Sequence, residues 1–173
     1  PDGTPSVGSL NITVTADTFG DVFELNGTGT AETNNAALTS VTTTLAPYAD
    51  LAVSNVAAPT QTIADPATVT VSWHVENLGT AAAEPTGWFD AVIASTDEIV
   101  GDADDRVLAR FERTSPLSPG ASYDRSETFQ LPPALTGRYY LYVRANVDAG
   151  VFEDGREANN AARAPDFFDV MPI

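Results

Sequence analysis

The stretch Asp97-Glu98-Ile99-Val100-Gly101-Asp102-Ala103-Asp104-Asp105 packs five acids into nine residues around one glycine. Calcium takes roughly six to eight hard oxygens, and flexible loops with alternating acids can converge on one ion. Asp97, Asp102, Asp104 and Asp105 are therefore the candidate metal ligands, with calcium the ion and loop ordering its role. The spacing departs from the twelve-residue EF-hand rule. The plain alternative is a solvated acidic hairpin between two strands. A second acidic group, Asp148, Glu153, Asp154 and Glu157, is echoed earlier by Asp17, Asp21, Glu24 and Glu32. In such Gly-rich turns Asn and Glu side chains bond to backbone groups and fix irregular loops. Calcium is the alternative there too.

Other chemistry is thinly represented. His74, the sole histidine, lies on the polar side of a strand pattern, and no nucleophile elbow accompanies it. Any acidic protein offers carboxylate pairs, and no pocket-forming sequence supports a glycosidase pair here. Trp88, Tyr139, Tyr140 and Tyr142 could stack on sugars, although alternating strand positions send some of them into a core. The sequons Asn11-Ile12-Thr13 and Asn26-Gly27-Thr28 matter only if the source glycosylates. No catalytic constellation and no cofactor motif emerges, so the chain reads as a non-enzyme.

The elements that would position these groups are strands. Leu10, Ile12 and Val14 alternate with Asn11, Thr13 and Thr15, predicting a half-buried strand. Residues 1–7 read as loop, an Asp- and Gly-rich loop leads to Val22-Phe23-Glu24-Leu25, and Leu38 to Leu45 reads as a β-branched strand. Val69, Val71, Trp73 and Val75 form the clearest amphipathic strand, with Trp73 the candidate core centre. Further strands are predicted at 50–56, 88–94, 107–111, 123–131, 139–145 and 167–171, with a small-residue connection over 81–87. No window keeps a helical period. Short strands with turn signals every ~8–12 residues describe an all-β antiparallel sandwich.

The chain also matches itself. Val151-Phe152-Glu153 with Glu157-Ala158-Asn159-Asn160-Ala161-Ala162 repeats Val22-Phe23-Glu24 with Glu32-Thr33-Asn34-Asn35-Ala36-Ala37. Upstream, Gly8 to Asp17 lies against Gly137 to Asn146. Self-similarity at a fixed period marks a tandem array. Residues 1–48 then read as the C-terminal portion of a preceding repeat, and 49–173 as a complete unit large enough for one core.

Composition bounds the partners. The net charge is −16, from 24 acids against eight bases, all Arg. Such a surface repels phosphate backbones and anionic lipid heads, so nucleic acid and membrane surfaces are excluded as expected partners. It suits divalent cations and a salty or extracellular medium, although plain solubility explains it equally. There is no cysteine, hence no disulfide and no thiolate site. No run reaches the ~20 apolar residues of a membrane helix, and no stretch reads as a signal peptide, which could lie upstream.

Several motifs together resemble one family. Asp50-Leu51-Ala52-Val53, Val69 to Ala81 with its Trp73 and Asn77-Leu78-Gly79-Thr80, Trp88 to Asp97, and Glu157-Ala158-Asn159-Asn160 are similar to the CARDB (cell-adhesion-related) domain of bacteria and archaea. The resemblance covers nearly all of 49–171, and residues 8–45 resemble the last third of another copy. It implies an immunoglobulin-like β-sandwich found in tandem in large secreted or surface proteins, with an adhesion or spacer role. Neighbouring repeats are then the expected partners. The rivals are a carbohydrate- or protein-binding module, favoured by an exposed Trp88, and a homo-oligomer or filament assembled by strand pairing between copies. Half a sandwich exposes strand edges and an apolar face, so residues 1–48 need a cover.

Overall fold

The computed structural model describes residues 7–84 and 87–171. Of the loop expected over residues 1–7, all but Val7 lies outside the described residues, as do Pro85 and Thr86 of the 81–87 connection. The chain forms two compact units, Pro1–Ala46 and Pro47–Ile173.

In the first unit, β1 (Gly8–Thr15) pairs antiparallel with β2 (Ala36–Thr43), from Gly8 opposite Thr43 to Thr15 opposite Ala36. The intervening residues form a loop with one short 3-10 helix, Ala31–Asn34. Val22 to Leu25 is irregular. Two of its amides go to side chains: Val22 N–H donates to Asp17 Oδ2 at 3.1 Å and Glu24 N–H to Glu32 Oε1 at 3.4 Å. The expected half-burial of β1 is not realised. Leu10, Ile12 and Val14 are 43%, 46% and 66% exposed, because the hairpin is a sheet of two strands with no facing layer of its own.

The second unit is a two-layer sandwich. One sheet runs β3 (Leu51–Ala57), β5 (Thr68–Asn77), β8 (Ser122–Gln130), all antiparallel. The other has the order β4 (Gln61–Ile63), β11 (Phe168–Met171), β9 (Gly137–Arg144), β6 (Trp88–Ser95), β7 (Arg106–Arg113). The short β10 (Ala161–Arg163) also pairs with β9, at the Arg144 end. The β4–β11 pair is parallel, so the sheet is mixed where pure antiparallel pairing was expected.

Periodicity explains the layers. Along β5 the side chains of Val69, Val71, Trp73, Val75 and Asn77 alternate inward, and Trp73 is 2% exposed at the centre of the core. β6 lies between β7 and β9 and is buried on both faces. Val92 and Ala94 enter the main core, while Ala91 and Ile93 join Tyr142 in a second cluster, against which Val100 of the acidic loop packs.

The turn after β5 is held by close backbone approach. Thr80 and Ala81 N–H both donate to Tyr48 O, at 2.8 and 2.9 Å. A Cβ on Gly79 would sit 2.4 Å from that oxygen and 2.7 Å from Ala49 Cα. Both neighbours are backbone and cannot swing aside. Gly79→Ala is therefore expected to destabilise the unit by about 2 kcal/mol, read as a lowered urea midpoint with an unchanged slope.

Candidate functional site

The acidic loop joins β6 to β7, and its geometry follows from short side chains capping nearby amides. Asp97 accepts from Ile99 N–H at 2.7 Å, and Asp104 accepts from Thr96 N–H at 2.8 Å and from the Thr96 hydroxyl. These turns bring one carboxylate oxygen each of Asp97, Asp102 and Asp104 within 4.8 Å of one another. Asp105, the fourth candidate, is outside that group and accepts from Gly101 N–H. The hydrogen bond from Asp102, with those from Thr96, holds Asp104 well below the usual carboxylate range, while Asp102 is pushed up. Three clustered acids offer hard oxygens to a divalent cation, or one shared proton to a pair. Nearby Glu98 is bound by Arg163 at 2.8 Å.

Asp148, Glu153, Asp154 and Glu157 do not converge as a metal cluster among the described residues. Glu153 is fully buried instead. Its Oε2 accepts from Leu51 N–H at 2.7 Å, and its Oε1 accepts from the amides of Asn146 at 2.6 Å and Asn160 at 2.7 Å. Asn146 in turn accepts from Val151 N–H at 3.0 Å. The carboxylate thus ties the first strand of the unit to its closing loop. Asn77, opposite Leu51 at the same end of β5, does comparable work: its Oδ1 accepts from Asp50 and Gly79 N–H, both at 3.0 Å. Its amide donates to Ala81 O and Leu117 O, both at 2.8 Å.

A second buried acid, Asp90 on β6, reaches across to the other sheet. Its Oδ2 accepts from Trp73 Nε1 at 3.0 Å and from the Tyr123 hydroxyl at 2.7 Å, with Arg125 Nη1 at 3.8 Å. Burial pushes the Asp90 carboxyl above its ordinary value despite these partners, and burial does the same to Glu153. A raised carboxyl favours folding most while protonated. Its contribution is complete below the unfolded pKa, 3.8 or 4.5, and is lost as pH rises through the folded pKa. Asp90→Asn keeps an acceptor for both donors and removes the charge. The variant is expected to be at least as stable as the parent at about pH 8 and to show a flatter stability profile above pH 4.5. Urea midpoints across that range measure both.

The remaining candidates are placed by the sheets. His74 stands in register between Ser54 and Asp124. Its Nδ1 lies 2.8 Å from Asp124 Oδ1, but among the described residues no hydrogen bond joins it to Ser54. Trp88 is fully buried, so it is no sugar platform. Tyr139 and Tyr142 are buried as well, and Tyr140 packs at a tilt against Phe167 with centroids 4.7 Å apart. Two open hollows of about 260 and 300 Å³ flank the Asp90 cluster, lined among others by Arg113, Arg125 and the Trp73 ring. Both arginines are engaged there: Arg113 lies 3.9 Å over Tyr123, and Arg125 bonds Glu127 at 2.7 Å.

The CARDB family model matches residues 48–164. Among solved structures, the CARDB domain of a Pyrococcus furiosus protein, described in complex with di-metal ions, is 19% identical over 75% of this chain and 100% of that one, with a TM-score of 0.49. β-Glucosidase 3B from Thermotoga neapolitana, in complex with α-D-glucose, is 18% identical over 72% of this chain and 16% of its own, with a TM-score of 0.45. A β-glucosidase from Listeria innocua, in complex with glucose, is 11% identical over the same 72% and 16%, with a TM-score of 0.45. No curated protein matches the chain.

Proposed function

This chain belongs to the CARDB family, and from that premise we propose that it is a structural link in a tandem array, a spacer or adhesion stalk of a large exported or cell-surface protein. The family is a non-catalytic, immunoglobulin-like one. The observation that carries the spacer reading is where the polar side chains of the complete unit are spent. Glu153, Asn77 and Asp90 are all fully buried, and each ties one segment of the sandwich to another. Groups committed to holding strands together suit a link whose task is to stay folded. An extracellular location accords with the net charge of −16, and no helix among the described residues is long and apolar enough to cross a membrane. In this reading the partners are neighbouring repeats of the same protein.

A calcium ion at Asp97, Asp102 and Asp104 is the accompanying proposal, supported by oxygens gathered within 4.8 Å. An ion there would relieve the mutual repulsion and fix the hairpin on which Val100 packs. One experiment separates these readings: the solution mass by light scattering, with calcium and with chelator, alongside the melting temperature. A monomer in both conditions supports the link. A calcium-dependent rise in melting temperature, abolished by Asp104→Asn, supports the ion. A concentration-dependent oligomer overturns the link and supports a filament.

A further inference from the structure

The two units share one local design, residue by residue. In the second, Arg144 pairs with Ala161, Ala145 N–H donates to Asn160 O at 2.8 Å, and Asn146 has a φ of 52°. In the first, Thr15 pairs with Ala36, Ala16 N–H donates to Asn35 O at 2.8 Å, and Asp17 has a φ of 45°. Val151 N–H caps on Asn146 Oδ1 at 3.0 Å, and Val22 N–H on Asp17 Oδ2 at 3.1 Å. The glycines that open β1 and β9, Gly8 and Gly137, have φ of 122° and 128°.

Burial is where the units part. Tyr139, Leu141 and Val143 of β9 are 7%, 1% and 0% exposed, while their equivalents Leu10, Ile12 and Val14 are 43%, 46% and 66% exposed. Buried Glu153 corresponds to half-buried Glu24, whose carboxylate takes no hydrogen bond among the described residues. In the complete unit, the carboxylate is met by the N–H of Leu51, and the face of β9 is covered by the sheet to which β3 belongs.

We propose that residues 8–45 are the closing edge of another sandwich. The face of β1, with Glu24 at its end, receives strands equivalent to residues 47–136, carried on the same polypeptide ahead of residue 8. Glu24 then accepts the N–H of the residue equivalent to Leu51. This deepens the tandem reading above and rests on it. Two polar positions depart from the match: Asn35, the equivalent of Asn160, donates its amide to Glu32 Oε2 at 3.0 Å instead of to Glu24, and Asp17 is the other. Asp17 stands where Asn146 donates its amide to Glu153, and a carboxylate cannot donate. Closure at the first unit therefore needs Asn35 to turn from Glu32 to Glu24 and lacks the bond equivalent to that from Asn146, which Asp17→Asn restores.

The alignment of Gly8 with Gly137 also supplies the test. A second copy of residues 47–136 is joined directly before Gly8 of the full chain, and amide exchange is followed over residues 8–45. Exchange in β1 is expected to slow by about 100-fold or more relative to the parent chain. Glu24→Ala in the extended chain is expected to abolish that protection and leave residues 137–171 unchanged. Asp17→Asn is expected to increase it. A further extended chain carrying Leu10→Tyr, Ile12→Leu and Asp17→Asn gives β1 the inward side chains of β9 and restores the Asn146 equivalent, so mismatch on the closing face cannot account for a failure. If neither extended chain protects β1, the proposal is overturned. It is overturned equally if the parent chain already protects β1 in a concentration-dependent way, since a second copy is then the cover. The solution mass alone decides the spacer reading, so the two failures are distinguishable.

Discussion

Glu153→Ala is expected to cost the complete unit about 4 kcal/mol. The substitution leaves three buried donors without an acceptor: the N–H of Leu51 and the amides of Asn146 and Asn160. Each such orphan costs roughly 1–3 kcal/mol, and the carboxylate also fills space that alanine leaves empty. Since domains of this size are stable by only about 5–15 kcal/mol, most of the margin goes. Glu153→Gln should fall between, because it keeps one acceptor oxygen but turns an amide toward a donor. Urea titrations of the three chains measure the series. A loss below about 1 kcal/mol for the alanine variant would show that the cluster is solvated on opening rather than structural.

The second large effect is at the centre of the core. Trp73→Ala removes a fully buried ring and is expected to cost about 4 kcal/mol. Trp73→Phe keeps most of the packing against Phe111, whose ring centroid lies 5.8 Å away, but loses the Nε1 donor to Asp90. That variant should lose about 1–2 kcal/mol. The loss should shrink when Asp90 is already asparagine, since a neutral acceptor needs its donor less than a buried charge does. A double-mutant cycle reads the coupling, and additivity within about 0.3 kcal/mol would sink the link between the two residues.

Strands that obey a period were legible from residue order alone. β5 shows its inward side chains as Val69, Val71, Trp73 and Val75, and the structure buries all four. Elements defined by a neighbour were not. β4 and β10 have three residues each, too few for a period, and exist because β11 and β9 offer them an edge. Val22 to Leu25 shows the converse, an apolar run that forms no strand, with the amides of Val22 and Glu24 taken by Asp17 and Glu32.

The candidate site divides in the same way. Asp97, Asp102 and Asp104 converge through local turns, which sequence spacing can suggest. Asp105 was drawn off by a single amide four residues away. The burial of Glu153 depends on Leu51, 102 residues distant, and no local signal announces it. Asp90 carried a signal that went unused, a lone acid inside the apolar run Trp88-Phe89-Asp90-Ala91-Val92-Ile93. A charge in such a run has to find donors across the core.

The parallel contact between β4 and β11 sets how the unit would carry tension. A pull on the chain loads β3 first, and once β3 has left β5 it draws β4 from its amino end and β11 from its carboxyl end, in opposite directions along a shared axis. Asp169 faces Gln61, Val170 faces Thr62 and Met171 faces Ile63, and Asp169 N–H donates to Thr60 O at 2.9 Å. In parallel strands loaded this way the cross-strand bonds lie across the force and must slide together. An antiparallel hairpin pulled at its two ends opens one bond at a time. A three-residue strand is thereby placed where it acts as a clasp, yielding late under load although it adds little to the core.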